Sequence, residues 1–282
     1  MAAVRDHARK FSDYTYVYPV ISRRSEGLSL GVNLNPDKVC NFDCVYCEVD
    51  RRTPGKPAGV VVRQLEMELR DLIRRVLDGG LSEDARFRGL PERLIRDIKD
   101  IAFSGDGEPT MIGNFAECAE AVARIKTEFG LTETQLVLIT DAAGLDKADV
   151  RKGLEVLDAH QGQIWAKLDA GTESYFKAVN RTRVQFDRIL SNLLLTARVR
   201  PIIIQSLFLK LHGVPISADE LKAYGDRLNE IVQAGGRIAE VHAYTIARPT
   251  PEAYATRLSE EELEAVAARI RESTGLRVRT FA

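Results

Sequence analysis

Apolar positions recur along this chain in two alternating rhythms. Short runs that are apolar at nearly every residue, such as QLVLIT at 135–140 and IIIQSLFL at 202–209, are separated by longer stretches with one apolar face. In 61–77 that face carries Leu65, Leu69, Leu72, Ile73 and Val76, at helical spacing. The pattern predicts strands at 28–34, 98–104, 135–140, 163–168, 202–209 and 238–246. Helices are expected at 61–77, 115–126, 148–157, 185–199 and 218–232, the last capped by Ser217. A final helix follows Ser259, which stands three residues before Glu262 in capping-box spacing, and a short strand at 276–280 closes the series. Ahead of the first strand, Tyr14, Tyr16 and Tyr18 alternate at strand period and are expected to pack across an edge of the sheet.

Strand alternating with helix argues for a parallel sheet with right-handed crossovers, and the fully apolar strands suit burial on both faces. Six such units fall short of a complete eight-stranded barrel. An open (β/α)6 partial TIM barrel fits the count, and so does a doubly wound sheet. In either fold chemistry belongs at the carboxyl ends of the strands. The loops there are 35–59, 105–114, 141–146, 169–183, 210–216 and 247–257, of which the first is the longest. Long ordered loops are usually functional.

Composition narrows the classes. The 282 residues are 45% hydrophobic and 29% charged, ordinary for a globular protein and unlike a disordered or collagen-like chain. Forty Lys and Arg against forty-one Asp and Glu leave a net charge of −1, which does not suggest a general polyanion binder, and no DNA partner is expected. The charged N-terminus lacks the apolar core of a signal peptide, and the apolar stretch at 201–209 is far shorter than the ~20 residues that span a bilayer. A cytoplasmic protein without membrane association is expected. Residues 1–282 read as one domain, with 1–27 as an N-terminal extension.

The cysteines change the picture most. Cys40, Cys44 and Cys47 lie together in NLNPDKVCNFDCVYCEVD (33–50), and Cys118 stands far away. Any disulfide within the cluster orphans a third thiol, and cytosolic thiols stay reduced. Three thiolates at Cys-x3-Cys-x2-Cys spacing suit an inorganic cluster. A four-iron cubane normally takes four cysteines, so three would leave one iron open to another ligand. The alternatives are a zinc-stabilised binding module, for which the nearest histidines are the remote His7 upstream and His160 downstream, and an electron carrier whose cluster only shuttles electrons.

With Tyr46 just before the last cysteine, this loop after strand 1 resembles that of the radical S-adenosylmethionine (SAM) superfamily. The resemblance implies that Cys40, Cys44 and Cys47 hold a 4Fe-4S cluster whose open iron chelates S-adenosyl-L-methionine. Reductive cleavage of SAM would then give a 5′-deoxyadenosyl radical for hydrogen abstraction, with Tyr46 lying against the adenine. The segment FSGDGEPT (103–110) is similar to the family's glycine-rich SAM segment, which implies that Gly105, Asp106, Gly107 and Glu108 bind the methionine amino group. The stretches YVYPVISRR (16–24), AKLDAGTESYFKAVNR (166–181) and YTIARPTPE (244–252) extend the resemblance to the wyosine-synthesis-type proteins. It implies the partial-barrel fold and an external electron donor of flavodoxin or ferredoxin type. The chain departs from that group in four ways. It has no cysteine in 1–39 for a second cluster, no flavodoxin-like domain, Asp141 where Asn is common, and Thr182 where Pro is common. With the neutral charge, these departures favour a small-molecule substrate over tRNA.

Other residues are candidates by position. Lys167 and Asp169 point to one face of strand 163–168, as an ion pair or as ligands of SAM or substrate. A lysine buried there is also a chemically competent Schiff-base former. Asp141 ends the third strand, suited either to a ribose hydroxyl or to capping its own turn. Gln205, Lys210, Tyr244 and Arg248 lie on or after the late strands, and Arg248 is a candidate clamp for a carboxylate or phosphate. Cys118 and Trp165 read as core, and His212 and His242 as structural histidines or proton carriers.

Overall fold

The structure is a computed structural model that describes residues 11–49, 59–248 and 250–282. His7 with the first ten residues of the expected extension, residues 50–58 of the cysteine loop, and Pro249 lie outside the described residues. The chain divides into two compact units. The first comprises the described residues of Met1–Val39 and Pro54–Ile139 together with Lys147–Gln163. The second comprises those of Cys40–Thr53, Thr140–Asp146 and Ile164–Ala282.

The first unit opens with a hairpin. Strand β1 (Val17–Ser22) pairs antiparallel with β2 (Gly27–Val32), Val17 facing Val32. Helix α1 (Val62–Leu77) and the short α2 (Glu92–Arg96) lead to β3 (Ile98–Phe103), which is parallel to β2. Helix α3 (Phe115–Glu128) then leads to β4 (Gln135–Thr140), parallel to β3, and α4 (Ala148–Ala159) follows. The predicted apolar face of α1 is the one that is buried: Leu65, Leu69, Leu72, Ile73 and Val76 are all inaccessible to solvent. Removing such a side chain by mutation to Ala costs about 2–5 kcal/mol. Phe103 meets Phe115 edge-on at 5.4 Å, joining strand to helix.

The tyrosines ahead of β2 anchor the hairpin. Tyr14 donates to Asp71 on α1, Tyr16 accepts from the Val61 N–H at 3.2 Å, and Tyr18 donates to the Ser104 carbonyl at 3.3 Å. The paired carboxylate oxygens of Glu68 take the Thr15 and Tyr16 amides at 2.9 and 2.7 Å. Of the three tyrosines only Tyr18 lies in a strand, β1, which the hydrophobic pattern alone did not mark; Tyr14 and Tyr16 precede it.

The second unit is built from β5 (Gly162–Lys167), α5 (Glu173–Asn180), α6 (Phe186–Val199), β6 (Ile202–Leu207), β7 (Leu209–Leu211), α7 (Ala218–Gln233), β8 (Ile238–Tyr244), β9 (Ala255–Arg257), α8 (Glu260–Thr274) and β10 (Val278–Phe281). Strands β5, β6, β8 and β10 are parallel neighbours in that order. The expected strand 202–209 is broken. β6 ends at Leu207, the Phe208 N–H bonds to the Tyr244 carbonyl at 2.8 Å, and β7 leaves to pair antiparallel with β9. Every residue of that run is buried, so hydrophobicity could not mark the change of direction.

Helix α5 falls in a stretch that the pattern assigned to a loop. Thr172 caps it, accepting from the Tyr175 N–H at 3.3 Å, and Glu220 on α7 takes the Gly171 N–H at 2.6 Å. The caps expected at Ser217 and Ser259 are present, the second as a full capping box with Glu262. Among the described residues no helix is long and apolar enough to cross a membrane.

Candidate functional site

The cysteine segment of the second unit is fastened to the end of α5. Main-chain N–H groups of Asp43 and Val45 donate to the carbonyls of Asn180 and Val179, at 3.1 and 2.9 Å, on either side of Cys44. Thr182 donates to the Asn41 carbonyl at 2.8 Å, and Arg181 donates to the Asp43 carbonyl at 2.6 Å while pairing with Asp43 and Glu252. Val45 is buried among Val179, Leu207, Leu209, Ile246 and Ala255, with Tyr46 and Tyr244 against them. The loop is therefore seated by an apolar plug as well as by its hydrogen bonds.

Around Cys44 lies a buried polar group. Asn180 Nδ2 donates to Cys44 Sγ at 3.3 Å and to Asp169 Oδ2 at 2.8 Å. Tyr46 donates to the same Asp169 oxygen, and the Leu207 N–H donates to Asp169 Oδ1 at 2.9 Å. Lys167 Nζ stands 3.6 Å from Asp169 Oδ2, donates to the Tyr244 hydroxyl at 2.7 Å, and lies over the Tyr46 ring at 4.8 Å. Burial opposes the charge on Lys167, but Asp169 and Tyr244 outweigh it and hold its pKa above the usual lysine range. Burial pushes the Cys44 thiol up to about 12, with Lys167 acting in the opposite direction. Burial and then Asp169 raise Tyr46 well above its ordinary value. The same-face expectation for Lys167 and Asp169 is met as an ion pair.

Cys40 Sγ lies 4.0 Å from Asp141 Oδ2 and accepts from the Phe42 N–H at 3.5 Å. Asp141 also caps its own turn, its Oδ1 accepting from the Ala143 N–H at 2.8 Å. Arg248 pairs with Glu48, the residue after Cys47, at 2.9 Å. Gln205 is buried on β6 and its Nε2 has no partner.

In the first unit the glycine-rich turn packs against the backbone leading to the cysteines. A Cβ on Gly107 would lie 2.1 Å from the Val39 carbonyl oxygen, and one on Gly105 would lie 2.2 Å from Asn33 Oδ1. Only glycine allows this approach. The Glu108 N–H bonds to the same Val39 carbonyl at 2.9 Å, and Val39 immediately precedes Cys40 in the chain. Asp106 accepts from Asn33 Nδ2 at 2.8 Å. Glu108 is buried, and its Oε1 accepts from the Thr110 N–H and hydroxyl at 3.0 and 2.7 Å.

The donor set suits a 4Fe-4S cluster. Three thiols lie within one short segment, and thiolates are the ligands such a cluster takes. Among the described residues no three His, Cys, Asp or Glu side chains gather as one metal ion requires.

No family model matches the chain. Comparison with solved structures finds TYW1 with a lysine-pyruvate adduct bound, at a TM-score of 0.56 and 15% identity, covering 89% of this chain and 74% of that one. Archaeal TYW1 follows at a TM-score of 0.53 and 12% identity, covering 87% and 72%. The fold is that of TYW1. The likeness bears out the sequence resemblance at the level of the fold, and the α/β partial-barrel fold class with it.

Among curated proteins, a UPF0026 protein of Helicobacter pylori strain J99 is 26% identical over 247 residues, 87% of this chain and 70% of its own length. A UPF0026 protein of Methanocaldococcus jannaschii is 26% identical over 182 residues, 62% of this chain and 47% of its own length. A protein named GTPase Obg of Brachyspira hyodysenteriae is 27% identical over 185 residues, and the match spans only 23% of that protein.

Within this TYW1 fold, sequence reasoning missed Asn180 and Arg181. Both lie in the resembling stretch 166–181, and the only local signal was an Asn-Arg pair at the end of an unrecognised helix. Cys118 and Trp165 are buried as expected, and burial raises the Cys118 thiol to about 12. His242 is buried against Trp165 and bonds Glu240 at 2.6 Å, and His212 stacks on Tyr254.

Proposed function

We propose that this chain is a radical SAM enzyme that binds one 4Fe-4S cluster through Cys40, Cys44 and Cys47 and generates a 5′-deoxyadenosyl radical. The observation that carries the reading is the three-thiol loop, fastened around Cys44 to α5, on a chain with the TYW1 fold. When bound, such a cluster with one open iron supplies the electron that splits the SAM sulfonium into methionine and the radical.

The chain's own residues bind and orient. Gly105, Asp106, Gly107 and Glu108 take the methionine end of SAM, Tyr46 flanks the adenine, and Asp141 serves the ribose. Lys167 and Asp169 form the charged floor for SAM or substrate. TYW1 has been solved with a lysine-pyruvate adduct; in this chain Lys167 is engaged by the Asp169 carboxylate and the Tyr244 hydroxyl, contacts that suit an ammonium. An electrostatic role therefore fits Lys167 better than that of a nucleophilic amine. Arg248 is the candidate anion clamp, released from Glu48 when substrate binds. Electrons come from an external flavodoxin- or ferredoxin-type donor.

The substrate we favour is a small molecule, on the net charge of −1. The TYW1 fold supports tRNA modification as the second reading. Anaerobically reconstituted protein should carry about four irons per chain, as a single cubane requires. With dithionite it should convert SAM to 5′-deoxyadenosine, and Cys40→Ala, Cys44→Ala and Cys47→Ala should each abolish this. Turnover in those variants, or zinc in place of iron in the wild type, would refute the proposal.

A further inference from the structure

We infer that Asn180 is a positioning residue that raises the reduction potential of the cluster, by giving one amide proton to the Cys44 sulfur and the other to Asp169. This rests on the reading that the three cysteines hold a 4Fe-4S cluster.

The geometry is specific to this side chain. Asn180 is the last residue of α5 and is 1% exposed. Its Nδ2 lies 3.3 Å from Cys44 Sγ and 2.8 Å from Asp169 Oδ2, two acceptors for its two protons. Its Oδ1 is buried without a partner. Turning the amide over would aim that oxygen at a carboxylate and a sulfur, so the arrangement found is the one that electrostatics allows. Leaving a buried carbonyl unpaired costs about 1–3 kcal/mol, which the fold accepts to keep the N–H groups on their targets.

Every partner of Asn180 is itself fixed. Asp169 is held by Tyr46, Lys167 and the Leu207 N–H. The main chain on both sides of Cys44 is tied to Val179 and Asn180, and Arg181, in the left-handed region at φ 45°, carries the tie to Asp43. The Cys44 sulfur therefore meets its donor at a distance set by the helix end.

Hydrogen bonds to a cluster's sulfurs stabilise the extra negative charge of the reduced state and raise its potential. Burial of Cys44 and the Asp169 carboxylate act in the other direction, since both disfavour added negative charge, while the nearby Lys167 ammonium favours it. Asn180 acts on the same side as Lys167, without adding a charge of its own. The couple concerned is a one-electron reduction; in a titration the electron comes from dithionite through mediators, and no bond forms or breaks.

The test is an anaerobic redox titration of the reconstituted full chain, read by the electron-paramagnetic signal of the reduced cluster, with iron counted in parallel. Asn180→Leu keeps the side chain's bulk and removes the donor. With iron content equal to wild type, its reduced-to-oxidised ratio at fixed ambient potential should fall about tenfold, a midpoint lower by about 59 mV for one electron. A fully loaded Asn180→Leu protein with the wild-type midpoint would overturn the inference while leaving the cluster assignment standing. Should Leu prevent loading, Asn180→Ala, which retains the main-chain ties of Asp43 and Val45, is judged by the same criterion. Wild-type protein that takes up no cubane would overturn the cluster assignment, and the inference with it.

Discussion

At the scale of single residues, the buried charges decide most. Asp169 has a fully buried side chain and faces Lys167, whose pKa is raised by that contact. Removing one partner of a buried pair typically costs 3–5 kcal/mol. Asp169 keeps donors from Tyr46, Asn180 and Leu207, so Lys167→Met should fall near the lower end, about 3 kcal/mol, measured by urea unfolding. An unchanged midpoint would show that the pair contributes nothing. Asp100 on β3 tests the opposite case. Burial raises its carboxyl pKa, against the Ser25 and Ser29 hydroxyls and Arg24. The native state therefore holds its proton more tightly than the unfolded chain, and its contribution to stability is present below the ordinary carboxylate pKa and lost as pH rises through the raised one. Asp100→Asn should be more stable than wild type at pH 7, and the gain should shrink as pH falls toward about 4. Urea midpoints at several pH values would show it, and a gain that grew on acidification would contradict it.

At the scale of elements, the turn after β3 and the end of α5 matter more than the strands they follow. Gly107 lies against the carbonyl of Val39, one residue before Cys40. Gly107→Ala would drive a Cβ into that oxygen and displace the backbone that enters the cysteine segment. We expect circular dichroism to be little changed and iron uptake on reconstitution to drop several-fold; full loading would show that the close approach is dispensable. The regular elements were legible because their apolar faces have a period. The inner face of α1, the buried strands β3 and β4 and the capping box of α8 all lie where the pattern put them. β1, α5 and the break between β6 and β7 were not legible. Each depends on a distant partner: α1 for β1, α7 for α5, and β9 for β7.

At the scale of the whole molecule, charge is the property that bears on the partner. A tRNA-binding enzyme gains affinity by neutralising phosphates and loses it steeply with salt. A chain with net charge −1 has little excess positive charge to spend this way. Filter binding should show weak retention of bulk tRNA at physiological salt, with a shallow dependence of binding on salt concentration. A steep slope, or modified guanosine in tRNA from an expressing host, would move the assignment to the second reading. The share of relatives covered also bears on this scale, because the match spans 47% of the Methanocaldococcus jannaschii protein and 23% of the Brachyspira protein.

The sequence by itself determined the α/β class of the fold and the clustering of three thiols in one short segment. Apolar periodicity is local and survives without knowledge of neighbours, and Cys-x3-Cys-x2-Cys is a covalent spacing that can be read directly from the chain. It also determined that Lys167 and Asp169 share a face, since alternation along a strand is geometric. Only the tertiary structure decided what those groups touch. Glu108 closes its own turn through Thr110, Arg248 is held by Glu48, and Asn180 lends its amide to a cysteine far away in the chain. Hydrogen bonds act over a few ångströms, and a contact between residues so distant in sequence exists only once folding has brought the end of α5 to the cysteine loop.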